Sequence, residues 1–103
     1  MRILFVVLAA FLLLPSHMAA AQSPREVFIV GDSTASEYGP ERAPRQGWGM
    51  QLQSFLDPSA WQVKNHAQSG RSSRSFIDEG WLAPVEQSLS RGDVLLIQFG
   101  HND

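Results

Sequence analysis

Two runs of this chain are apolar without alternating, and that constrains the fold more than any other feature. Val27-Phe28-Ile29-Val30 and Val94-Leu95-Leu96-Ile97-Gln98-Phe99 are dominated by β-branched and other large apolar residues, and each ends at a glycine, Gly31 and Gly100. A strand with one wet face alternates polar and apolar side chains, so the first run reads as a strand covered on both faces, as in a parallel sheet, and the second as the most hydrophobic strand of the chain. A third run, Trp61-Gln62-Val63-Lys64, does alternate and is expected to be a strand covered on one side. Between these runs, Trp48, Leu52, Phe55 and Leu56 fall at i, i+4, i+7 and i+8, which predicts one apolar helical face ending at Asp57-Pro58. Trp81, Leu82, Val85 and Leu89 predict a second helix, with Pro84 in its first turn and Arg91-Gly92-Asp93 closing it. The stretch from Asn65 to Arg74 is too polar and turn-prone for a core element and reads as a loop.

Strand, helix, strand, helix, strand in this order is the pattern of a parallel α/β sheet with helices on its faces, linked by right-handed crossovers. Ligands of such sheets bind beyond the carboxyl ends of the strands. Gly31-Asp32-Ser33, the segment Asn65 to Ser75 and Gly100-His101-Asn102-Asp103 all follow a strand, so residues far apart in sequence are expected at one edge.

The N-terminus has its own pattern. Arg2 precedes an unbroken apolar run of 12 residues, Ile3 to Leu14, followed by Pro15 and Ala19-Ala20-Ala21. This is the layout of a secretory signal peptide over residues 1–21, and it predicts a secreted protein, extracellular or periplasmic. Spanning a bilayer takes about 20 apolar residues, so no stable membrane anchor is expected. Residues 22–103 are then expected to be the N-terminal part of one domain, being shorter than the roughly 100–150 residues typical of a whole one. Cleavage removes one of the eight Lys and Arg and none of the ten acids, leaving a formal charge of −3. A weakly acidic balance argues against nucleic-acid binding, which needs a clustered basic face. The chain has no cysteine, which excludes disulfides, a thiolate nucleophile, thiolate-ligated zinc and a lipid-modified cysteine. His66, His101 and the nearby acids lack metal-ligand spacing, so neither metal nor cofactor is expected.

The post-strand segments carry the chemistry. A serine just after a strand and a glycine can sit on a tight turn at the sheet edge, where backbone N–H groups favour developing negative charge, so Ser33 is placed as a nucleophile should be. The same residue would also serve as a simple helix cap. Gly70 lets the backbone approach a ligand closely enough for its N–H to meet an oxyanion, or it is an ordinary loop glycine. Asn102 offers a side-chain amide donor, or merely forms a turn. Each residue is ambiguous by itself; their shared position after three strands gives the constellation its meaning. Arg71 and Arg74 suit the carboxylates of an acidic polysaccharide, or are solvated loop residues. Trp48 suits sugar stacking, or core packing on its predicted helical face.

With these residues in view, the chain resembles the GDSL, or SGNH, hydrolase superfamily, whose four sequence blocks contribute Ser, Gly, Asn and His. Gly31-Asp32-Ser33 matches the first block, Gly70 the second and Gly100-His101-Asn102-Asp103 the third. Gly31-Asp32-Ser33-Thr34-Ala35, Gly47-Trp48-Gly49, Asn65-His66-Ala67, Gly70-Arg71-Ser72-Ser73-Arg74-Ser75-Phe76 and Phe99-Gly100-His101-Asn102-Asp103 are more narrowly similar to rhamnogalacturonan acetylesterases. The resemblance implies a three-layer α/β/α fold with a parallel, flavodoxin-like sheet of strand order 2-1-3-4-5, of which the first three strands are expected here. It implies Ser33 as nucleophile, with the backbone N–H groups of Ser33 and Gly70 and the Asn102 side chain as oxyanion donors. Asp32 reads as a turn-fixing carboxylate, and His66 and His101 as structural. The family's Asp-x-x-His block has no counterpart up to Asp103. The implied substrate is an acetylated polysaccharide of the pectin type or another small ester. The alternatives are a lipase- or thioesterase-like member, or a fragment inactive by itself.

Overall fold

The unbroken apolar character of the first run is explained by its surroundings. In the computed structural model, which describes residues 22–103, β1 (Arg25–Gly31) lies between β2 (Trp61–Asn65) and β3 (Val94–Gln98) in an all-parallel sheet of order β2-β1-β3. Successive β1 side chains feed opposite layers. Phe28 and Val30 join Phe76 and Val85 on one side, flanked by Leu82, Leu89, Leu95 and Phe99. Ile29 joins Ala35 and Ala67 on the other, flanked by Leu52, Val63 and Leu96. Each large β1 side chain so covered contributes about 1.5–3 kcal/mol by leaving water. The expected leader, residues 1–21, lies outside the described residues.

Two short helices cover the first layer: α1 (Ser73–Asp78) and α2 (Ala83–Ser88). In α2, Pro84 occupies the first turn, where its missing N–H costs nothing, and Val85 is buried between Leu82 and Leu89 as the spacing predicts. Trp81 instead precedes the helix and stays partly exposed beneath the Arg71 guanidinium, 5.4 Å from its ring centre.

Helix α1 begins inside the stretch read as a loop. Ser72 caps it: its hydroxyl accepts from the Ser75 N–H at 3.0 Å, and the Ser75 hydroxyl accepts from the Ser72 N–H at 2.9 Å. This reciprocal pair does the work usually given to Ser and Glu. Phe76 is the one buried residue of α1, and it meets Phe99 edge-on at 5.2 Å between ring centres.

The helix expected over Trp48 to Leu56 is corrected. The segment forms two 3₁₀ turns, Trp48–Met50 and Leu52–Phe55, and Phe55 is 82% exposed. Competing bonds explain the difference. The Trp48 N–H donates to the Thr34 carbonyl at 2.9 Å, holding the first turn against the loop after β1. The Gln53 side chain bonds the outer edge of β2, donating to the Trp61 carbonyl at 3.1 Å and accepting from the Val63 N–H at 2.8 Å. These contacts satisfy an edge that would otherwise present bare backbone groups.

The outer edge of β3 has no such cover among the described residues, and Val94 and Ile97 along it are 37% and 66% exposed. Residues 22–103 expressed alone are therefore expected to aggregate or collapse loosely, because an apolar, unpaired edge templates self-association. Size-exclusion chromatography and thermal denaturation test this; a soluble monomer that unfolds cooperatively would overturn it.

Candidate active site

The register of the sheet brings three loops out at one edge. Ile29 pairs with Asn65 of β2 and Gly31 with Gln98 of β3, so all three strands end at nearly the same level. Ser33, Gly70 and Asn102 each follow one of these ends.

The turn carrying Ser33 is built around Asp32, which is fully buried. One carboxylate oxygen accepts from the Thr34 N–H at 3.0 Å and the Thr34 hydroxyl at 2.8 Å, an Asx-type turn. The Asp32 carbonyl accepts from the Ala35 N–H and the Ser36 hydroxyl. Burial alone would raise the Asp32 pKa, but the Thr34 donors, the His101 N–H and the Gln98 side chain outweigh it and hold the carboxyl below its ordinary value. The second oxygen, Oδ2, has no partner of full hydrogen-bond geometry among the described residues. The His101 and Gln98 contributions are therefore looser contacts than those of Thr34.

Behind the turn, Gly47 and Gly49 allow backbone to lie directly on backbone. A Cβ at Gly47 would overlap Ala35 and Ser36, and one at Gly49 would overlap the Ala35 carbonyl and the Asn65 amide. Asn65 completes the brace, donating to the Ala35 carbonyl at 2.7 Å.

Side chains join the three loops pairwise. Tyr38 links the first to the second: its hydroxyl donates to the Ser33 carbonyl at 2.6 Å and lies 3.2 Å from the Ser69 hydroxyl. Asn102 and Asp103 link the third to the second. The Asn102 amide donates to the Arg71 carbonyl at 3.1 Å, and the Asp103 carboxylate accepts from the Ser73 N–H at 2.6 Å and the Ser73 hydroxyl at 3.2 Å. The Thr34 hydroxyl, between Asp32 and the Gln98 side chain, links the first loop to the end of β3.

Within this closed set, Ser33 is half-buried, while Gly70 and Asn102 are exposed. Gly70 has φ +78°, the left-handed region in which a side chain is strained. The Ser33 and Gly70 N–H groups donate to no protein acceptor among the described residues, and the Asn102 amide spends one of its two N–H groups on Arg71. Each of the three loops thus keeps an unspent N–H donor among the described residues. No group of three or more His, Asp or Glu among the described residues could hold a metal.

Known proteins resemble the chain over most of its length. No protein-family model matches the chain. Rhamnogalacturonan acetylesterase RhgT of Bacillus subtilis is 46% identical over 82 residues, which is 80% of this chain and 35% of that protein. The rhamnogalacturonan acetylesterase of Emericella nidulans is 34% identical over 98 residues, 95% of this chain and 34% of that protein. The crystal structure of protein YxiM from Bacillus subtilis superposes with a TM-score of 0.71 at 34% identity, covering 79% of this chain and 23% of that one. Over most of its length this chain is homologous to SGNH-type esterases. It spans about a third of the length of the curated acetylesterases it matches.

The parallel three-strand sheet expected for an SGNH-type esterase is the one observed, with β1 central. Tyr38, Gln98 and the bonds of Asp103 to α1 were not foreseen, since they join residues 30 or more positions apart or lie outside any motif. The turn-fixing part that the resemblance implies for Asp32 agrees with its bonds to Thr34, two positions on. His66 packs its ring beside Phe28, 5.8 Å between centres, consistent with a structural part. Arg71 is spent on the loop itself, pairing with Glu79 at 3.1 Å and donating to the Ser69 carbonyl at 2.8 Å. Trp48, expected against the core, is 38% exposed.

Because the Asp32 pKa is depressed in the folded state, its contribution to stability is complete above its unfolded value of about 4 and is lost as pH falls below it. In a full-length protein carrying this segment, Asp32→Asn is expected to lower stability by about 1–3 kcal/mol at neutral pH, since a neutral amide accepts from the Thr34 donors more weakly than a carboxylate and places an NH2 group where the buried Oδ2 lay. The variant should also lose less stability than the parent between about pH 4 and pH 2. Urea denaturation at several pH values measures both; equal acid sensitivity of parent and variant would remove Asp32 from this part.

Proposed function

We propose that the protein is a secreted serine esterase that removes acetyl groups from rhamnogalacturonan, with Ser33 as nucleophile. The single observation that carries this reading is the hydrogen-bonded closure of three loops around Ser33, Gly70 and Asn102, with N–H donors left free beside a serine. The names of the relatives, rhamnogalacturonan acetylesterases, support the substrate class. Export rests on the sequence pattern of residues 1–21.

The reaction is acyl transfer in two steps. A histidine outside residues 1–103, oriented by an aspartate of the same block, takes the proton from Ser33 Oγ as that oxygen bonds the acetyl carbonyl carbon. The carbonyl oxygen becomes an oxyanion facing the Ser33 and Gly70 N–H groups and the Asn102 amide. The bond to the sugar oxygen breaks, and that oxygen takes the proton from the histidine. Water, deprotonated by the same histidine, then attacks the acetyl-serine and frees acetate and Ser33.

In a full-length enzyme, Ser33→Ala should abolish acetate release from acetylated rhamnogalacturonan and hydrolysis of p-nitrophenyl acetate, with thermal stability unchanged; wild-type turnover would move the nucleophile elsewhere. Asn102→Ala should lower kcat by about 10²–10³ with little change in KM, because its amide meets the oxyanion only as it forms. A change confined to KM would make Asn102 a ground-state binding residue.

A further inference from the structure

A second feature lies one side chain away from Ser33. Tyr38, whose hydroxyl holds the Ser33 carbonyl, forms a wall of a cleft of about 290 Å³ that it shares with Glu37, Glu41, Arg42, Arg45 and Ser69. The Arg45 guanidinium lies over the Tyr38 ring, 4.9 Å from its centre. Stacking of this kind orients the guanidinium while leaving its N–H edge free for a planar anion.

The charges in the cleft are not cancelled against one another. Among the described residues the one ion pair is Arg71 with Glu79, so neither Arg42 nor Arg45 is within ion-pair distance of a carboxylate, although two line the same cleft. Glu37 accepts from the Asn65 amide at 3.2 Å, and the Glu41 carboxylate turns back over Gly39. The lining of the cleft thus includes two guanidinium groups without an ion-pair partner and two carboxylate acceptors. A pyranose uronic acid presents the matching pair on one ring: a carboxylate for an Arg fork and hydroxyls that donate to carboxylates.

We infer that this cleft is a subsite for a uronosyl residue of the substrate backbone, with Arg42 and Arg45 receiving its carboxylate. Arg71 and Arg74, the cations that sequence reasoning singled out, are not part of it. The inference rests on the acetylesterase reading and adds the group by which the substrate backbone is recognised. Tyr38 and Ser69 belong both to the cleft and to the brace of the Ser33 and Gly70 loops, so a sugar held here sits against the same wall that positions the reacting ester.

The test is calorimetric binding to a full-length Ser33→Ala protein, in which the ligand is not consumed. A deacetylated rhamnogalacturonan oligosaccharide is compared with its carboxyl-reduced counterpart. The parent should bind the acidic form at least tenfold more tightly. R42Q/R45Q should erase that difference by weakening the acidic ligand alone, and R74Q should leave it intact. Equal affinity of the parent for the two ligands would overturn the subsite, and needs no further variant to interpret. So would an unchanged preference in R42Q/R45Q, or equal weakening of both ligands. Failure of the esterase reading is seen separately, as absence of acetate release by the unsubstituted enzyme from acetylated oligosaccharide.

Discussion

Everything at the candidate site depends on β1 being enclosed on four sides. Its two edges are bonded in parallel to β2 and β3, and its two faces are buried in separate apolar layers. A strand so enclosed cannot slip in register without moving Phe28 and Val30 into the layer of Ile29, which fixes where it ends. The turn at Asp32 and Ser33 inherits that fixed position. Parallel pairing does the same for the other two loops, because neighbouring parallel strands deliver their carboxyl ends to one side of the sheet.

The sheet supplies position, and polar side chains supply shape. Asp32 is buried without a countercharge and is kept ionised by donors from its own turn and from the third loop. Its bonds to Thr34, whose hydroxyl also meets the Gln98 side chain, connect the Ser33 turn to the end of β3. Tyr38 provides a comparable link with a neutral group, its one hydroxyl reaching both the Ser33 carbonyl and Ser69.

Much of this was legible in the sequence, for identifiable reasons. The apolar runs ending at Gly31 and Gly100 declare strands, of which β1 has two dry faces while β3 keeps Val94 and Ile97 exposed, and Ser33, Gly70 and Asn102 stand out because they follow strands closely. The segment from Trp48 to Phe55 misleads because its apolar spacing mimics a helix, while its conformation is set by Gly47 and Gly49 lying on the Ala35 backbone and by Gln53 bonding β2. Helix α1 was hidden by its shortness: six residues with Phe76 alone buried have no periodicity to detect, and its capping box pairs serine with serine. The loop-to-loop bonds of Tyr38, Gln98 and Asp103 leave no local trace, because each connects residues that only the fold makes neighbours.

The bonds of Asn102 and Asp103 to the Gly70 loop lie at exposed positions. Water competes for such bonds, so each adds little net free energy, whereas β1 is held by burial on both faces. The protein therefore carries a gradient of local stability across a few residues. Its third loop can detach and re-form while the strands beneath it remain paired, and amide exchange would be fast at Ser73 and Asn102 yet slow at Ile29. An edge of this kind can rearrange without the core of the sheet ever opening.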